Sequence, residues 1–322
     1  MPPSFCRHNR FVQNCPICSP PQAAAKAKRP AGTGSSRARS ASGGATRTAR
    51  SSAVRVRQLT QAADDGYRSA LVPGLRATSD AERLAAELAF ASARLEEFSD
   101  DPPGLYADIV TLDDPEEALW LAFLVAFLCP LEDVEDPFAE IRAAHVPWAS
   151  GELPALGGLR GGPRTQLADP QSGEKTVLAY RAWAGRVGGQ QAAFAGDAAW
   201  TSSRRFDRVF ERLSLPGFGR GGRYELLVSL GRLDVVEAQP ASLRFTDDAT
   251  TLAAKRVFGI GDTVLLERRA KALAESVRVP IEALDLALYN WGVRARGERA
   301  TYGSRAVVDE AARDAIAGVL GA

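Results

Sequence analysis

The sequence predicts a mostly α protein, and three observations predict it. Apolar residues recur at helical spacing in segment after segment: Leu84, Leu88, Ala91, Leu95 and Phe98; then Phe206, Val209, Phe210 and Leu213; then Ile281, Leu284, Leu288 and Trp291. No stretch sustains the apolar–polar alternation of a half-buried strand. A glycine-rich turn, Leu215-Pro216-Gly217-Phe218-Gly219-Arg220-Gly221-Gly222, lies between two helical runs, and the stretch from Leu213 to Ala270 around it organises the rest of the chain.

The 322 residues carry 40 basic and 39 acidic side chains, a balance that hides a strong asymmetry. Residues 1–58 hold eleven Lys or Arg and no acid, which leaves 29 basic and 39 acidic groups, a net of −10, for the remainder. A basic arm on an acidic body suits a polyanion, and nucleic acid is the usual one. The N-terminus has no apolar signal-peptide core. The longest apolar run, Ala118 to Cys129, is too short to span a bilayer. These features predict a cytoplasmic protein with no membrane contact.

The four cysteines argue against a secreted disulfide scaffold. Cys6, His8, Cys15 and Cys18 have the donor types and spacing of a closed tetrahedral zinc site. A segment this short has no core, so structural zinc would hold it folded. Cys129 ends an apolar helix and reads as a packed thiol. Residues 1–19 are therefore expected to form a zinc knuckle. Residues 20–57, rich in Ala, Gly, Ser, Pro and Arg, are expected to be a disordered basic linker. Residues 58–322 are expected to be an all-α domain, with helical lobes at 58–149 and 177–322 joined by a Gly/Pro-rich loop.

Within that domain, Ser79-Asp80-Ala81-Glu82 reads as a capping box. Asp114-Pro115 opens a helix that is apolar nearly all round and should be central. Glu132, Asp133, Glu135 and Asp136 form an acidic knot, read either as a cation or amine site or as a solvated loop. His145, beside Trp148, is one of two histidines. Tyr180, Arg181, Trp183 and Arg186, just before Gln190 and Gln191, would serve either as a nucleotide clamp or as ordinary core and surface. Asp262 should cap a helix over Thr263 to Glu275, and a last helix should run from Arg305 to Leu320.

The glycine-rich turn has the shape of a helix-hairpin-helix. Its glycines permit φ > 0 and let a DNA phosphate approach backbone N–H groups at a helix N-terminus. Gly217, Gly219 and Gly222 also spell G-x-G-x-x-G, but a helical run precedes them where a dinucleotide fold needs a strand. A third reading is that they only turn one helix into the next. The acidic pair Asp247-Asp248 follows, with Asp248 eleven residues before Gly259.

Several of these segments together resemble the alpha-glutamyl/putrescinyl thymine pyrophosphorylases, clade 3, a family related to the helix-hairpin-helix DNA glycosylases. The residues that carry the resemblance are Phe5 to Phe11 with Cys15 to Cys18, Pro130 to Glu132, Asp136 to Phe138, Leu215 to Gly219, Arg256 to Asp262 and Leu284 to Gly292. The resemblance implies a helix-hairpin-helix DNA-glycosylase-like helical body with an N-terminal zinc knuckle. It implies an enzyme that replaces pyrophosphate on a 5-hydroxymethyl pyrimidine of DNA with an amine from an amino acid or polyamine. Asp248, with Asp247 as the neighbouring alternative, would take the catalytic carboxylate role. Gly217, Gly219 and Gly222 with Arg220, Arg223, Arg204 and Arg205 would hold DNA phosphates. Where a Schiff-base lysine follows the hairpin in many glycosylases, this chain has Arg220 to Arg223, which leaves a β-lyase step without a nucleophile. A monofunctional glycosylase and a non-catalytic DNA-binding module remain as alternatives.

Overall fold

The computed structural model describes residues 62–293 and 299–322. The zinc-ligand candidates Cys6, His8, Cys15 and Cys18 and the basic linker lie outside the described residues. Twelve α-helices and a 3₁₀ turn at Trp148–Ser150 account for the regular structure there, with no strand among the described residues. The expected mostly α body is what forms. Among the described residues no helix is long and apolar enough to cross a membrane.

The helices pack in two groups that do not follow chain order. The first contains α1 (Thr78–Asp100), α9 (Ala249–Phe258), α10 (Thr263–Val277), α11 (Ala283–Val293) and α12 (Glu310–Leu320), with α1 laid along α11 and α12. The second contains α2 (Leu105–Thr111), α3 (Pro115–Leu128), α4 (Ala139–Ala144), α5 (Pro170–Gly185), α6 (Gln190–Ala195), α7 (Ser202–Arg212) and α8 (Arg220–Arg232). The first long helix packs with the last four, across the Gly/Pro-rich loop in sequence. α1 carries one apolar face, Leu84, Leu88, Leu95 and Phe98, all buried, and α11 and α12 supply the surface that covers it.

α3 is the centre of the second group. Asp114 accepts the Glu116 N–H, Pro115 starts the helix without needing a donor, and every residue from Ala118 to Leu128 is buried. Trp120 and Phe123 on α3 stack with Tyr180 of α5, the Phe123 and Tyr180 rings 3.8 Å apart. Tyr180 and Trp183, two members of the possible nucleotide clamp, are thus core residues. Cys129 is a buried thiol, which burial pushes up to about 12.

Three expected boundaries shift for local reasons. α1 begins at Thr78 with Ala77 as its cap, and the Thr78 N–H is taken by Asp65 Oδ2 at 2.8 Å. A carboxylate from the preceding turn thus does what Ser79 was expected to do. α5 starts earlier, at Pro170, because Asp169 caps it through the Ser172 N–H. α12 starts later, at Glu310, capped by Asp309, and Arg305 instead ties the preceding segment to Glu97 and Asp101.

Candidate nucleic-acid and catalytic site

The glycine-rich turn is built from α7 inward. Phe206, Val209, Phe210 and Leu213 bury one stripe of α7, and the turn then reverses the chain into α8. Phe218, between the two glycines, is buried and meets Phe123 of α3 edge-on at 5.2 Å. Gly217 has φ +73°, and a Cβ there would lie 2.2 Å from the Thr176 hydroxyl of α5. A Cβ on Gly222 would lie 2.6 Å from the Phe218 ring and 2.7 Å from Gln166. These glycines seat the turn against α5 and the loop before it. The Gly219 N–H, expected to face a phosphate, donates to Gln166 Oε1 at 3.0 Å.

The arginines of this region divide by burial. Arg220, expected to hold a phosphate, is turned inward rather than towards solvent. Its Nη1 reaches Asp285 Oδ1 at 2.6 Å and Asp248 Oδ2 at 3.1 Å, and its Nε donates to the Leu243 carbonyl at 3.1 Å. Arg205 is likewise internal, with Nε on the Ala195 carbonyl and Nη1 on Glu237. Both bury a charge that only carboxylates and carbonyls on neighbouring segments could satisfy. Arg204 stays exposed on the outer side of α7. Arg223 is half-buried over the Phe210 ring at 4.3 Å and donates to the Phe210 carbonyl. Burial, with Arg220 and Arg244 nearby, lowers the Arg223 pKa below the usual arginine value.

Asp248 and Asp247 are separated clearly. Asp248 caps α9: its Oδ1 accepts the Thr251 N–H at 2.8 Å and the Thr251 hydroxyl at 2.7 Å. Its Oδ2 holds Arg220, and the side chain keeps 24% of its surface in solvent. Asp247 is exposed. The connection from α8 to α9 is held in place by Glu267 of α10, which accepts the N–H groups of Leu243 and Phe245.

Behind Asp248 lies a charge chain that residue spacing does not reveal. Asp285 of α11 sits between Arg220 and Arg164, with Arg164 Nη1 2.8 Å from Asp285 Oδ2. Burial raises the Asp285 pKa, but the two guanidinium groups outweigh it and hold the carboxyl below the usual range. Arg164 comes from the Gly/Pro-rich loop, and Gly221 leaves it room, since a Cβ there would lie 3.0 Å from Arg164 Nη2. A second buried pair, Arg94 of α1 with Glu225 of α8, joins the two helical groups nearby. The sequence does carry a signal for Asp285: a carboxylate inside the apolar run Ala283 to Trp291 must find a partner. Nothing in the sequence says that the partners are Arg164 and Arg220.

The other flagged residues are largely structural. Glu132 accepts from the Thr301 N–H and hydroxyl at 2.6 and 2.7 Å, and burial raises its pKa. Asp136 pairs with Arg142 at 2.5 Å, while Asp133 and Glu135 are exposed. Among the described residues no group of three or more His, Cys, Asp or Glu is placed to hold a metal ion. His145 Nε2 lies 2.5 Å from Glu117, whose other oxygen accepts the Trp148 N–H. Arg181 packs against the Trp120 and Trp148 rings, and Gln190 is buried against Glu116.

Residues 155–296 match the family model described as alpha-glutamyl/putrescinyl thymine pyrophosphorylase clade 3. The resemblance read from the sequence is supported over that segment, which is a little under half of the chain. The segment contains Arg164, the hairpin, Arg220, Asp248 and Asp285. No curated protein and no solved structure matches the chain.

Proposed function

Starting from that family match, which points to DNA-base modification, we propose that the chain is an enzyme that replaces pyrophosphate on a 5-hydroxymethyl pyrimidine of DNA with an amine. The supporting observation is Asp248, a partly exposed carboxylate at the start of α9, fixed by Thr251 on one oxygen and by the buried Arg220 on the other. In the proposed reaction the amine nitrogen bonds to the methylene carbon on C5 of the base. The carbon–oxygen bond breaks, and its electron pair leaves with diphosphate. The amine must shed a proton, and Asp248 is the group assigned to take it. The base has to leave the stack for an approach of this kind. Arg223, at the first turn of α8, is the cation of the expected set nearest the hairpin that still reaches solvent, and it is assigned to the departing diphosphate. Structural zinc on Cys6, His8, Cys15 and Cys18 belongs to this proposal on donor type and spacing alone.

The test is incubation with DNA carrying plain or pyrophosphorylated 5-hydroxymethyl pyrimidines plus amino acids or polyamines, followed by nucleoside mass analysis. An amine adduct formed only on the pyrophosphorylated base is the expected result, and its absence with every amine overturns the proposal. One observation favours the rival docking module: Asp248 is also a helix cap, a role that needs no chemistry. DNA binding without any product would select that reading.

A further inference from the structure

The outward face of α7 carries a row of exposed arginines. Arg204, Arg208 and Arg212 follow one another at four-residue steps, and all three are exposed. The inward face of the same helix is spent on the core through Phe206, Val209 and Phe210. The acids of α7 do not cancel the row. Asp207 and Glu211 are both turned towards Arg244 of the α8–α9 connection, at 3.6 and 2.9 Å. Arg208 touches Glu211 at 3.3 Å with both groups about half exposed, a pair worth little in water. Arg212 rests on the half-exposed Trp200 ring, 4.9 Å from its centroid. On a body with ten more acids than bases, a helix face with three exposed arginines and one weak acid pair is out of keeping with its surroundings.

We infer that this face of α7 is a docking surface for the phosphate backbone of duplex DNA, placed beside the hairpin that α7 runs into. The inference rests on the DNA reading above and assigns the contact to residues other than the buried Arg205 and Arg220. Eight helical residues rise about 12 Å. One strand of a duplex offers a phosphate about every 3.4 Å of axis. The row therefore spans about three to four phosphates of one strand. Phosphate contacts of this kind set position without reading sequence.

The full chain is titrated with an unmodified 20-base-pair duplex over a salt series, which makes the readout independent of any chemistry. The Arg204→Gln/Arg208→Gln/Arg212→Gln variant should lose about two to three units from the slope of log K against log salt, since each phosphate contact contributes about 0.9. An Arg268→Gln/Lys271→Gln variant, on the exposed side of α10, should keep the wild-type slope. If the triple variant binds with an unchanged slope while the wild type binds in a salt-dependent way, the surface assignment is wrong and the enzyme reading stands. Slopes reduced equally in both variants also overturn it, because net charge alone then explains the loss. A wild type with no salt-dependent DNA binding removes the DNA reading together with this surface.

Discussion

Asp248→Asn separates the two roles that one carboxylate plays. Asn is as good a helix cap as Asp, so the Thr251 N–H keeps an acceptor. The change removes the negative charge 3.1 Å from Arg220 and turns an amide towards it. Arg220 keeps Asp285 at 2.6 Å and the carbonyl of Leu243, so it is not left as an unpaired buried charge. The expected stability loss is that of one charge-assisted hydrogen bond, about 1.5–3 kcal/mol, read as a shift in urea midpoint. Asp248→Ala should lose about 1 kcal/mol more, because the cap goes as well. On a proven substrate, Asp248→Asn should lose roughly 100-fold in turnover while binding DNA at least as tightly as wild type, since a charge that repels phosphate is gone. Asp247→Asn, at an exposed position, should lose much less. Asp248→Asn with wild-type turnover and the expected stability loss would show that Asp248 is a cap and nothing more, and the reasoning from its geometry would fail.

Asp285→Asn should be destabilised by about 3–5 kcal/mol at neutral pH, because two buried guanidinium groups lose their shared carboxylate. The Asp285 pKa is lowered in the fold, so its stabilisation is complete above the unfolded carboxylate value and is lost as pH falls through the folded one. The gap between variant and wild type should therefore narrow in acid, and a gap independent of pH would refute the assignment. Gly74→Ala should lose about 1–3 kcal/mol, since the added Cβ would lie 1.9 Å from the Arg256 carbonyl oxygen and 2.6 Å from the Gly259 nitrogen; a midpoint equal to wild type would show that this contact relaxes freely. Purified protein should carry about one zinc per chain, and Cys15→Ser and Cys18→Ser should lower that content; unchanged zinc would remove both ligands. Deleting residues 1–58 should flatten the salt dependence of DNA binding, and an unchanged slope would show that the arm is not a DNA contact.

Local features are legible in the residue pattern. The all-round apolar α3 has to be central, Asp114-Pro115 has to start it, and Asp262 sits as the cap at the head of its helix. Each depends on contacts within a few residues, which sequence spacing encodes directly. The placement of the glycine-rich turn between two helices is legible for the same reason. The partners of the buried charges are not. Arg164 and Asp285 are 121 residues apart, and Arg220 and Asp285 are 65 apart, so nothing local links them. An arginine beside a glycine-rich turn looks the same in sequence whether it faces a phosphate or a carboxylate. Burial decides, and burial is a property of how the helices pack. The same holds for the grouping of α1 with α9 to α12: an amphipathic face states that it will be covered but not by what. The sequence by itself determined that the body is helical, where most of its helices lie, and the turn. Only the tertiary structure decided which charges face inward, because a buried guanidinium is tolerated only where distant segments bring it a carboxylate.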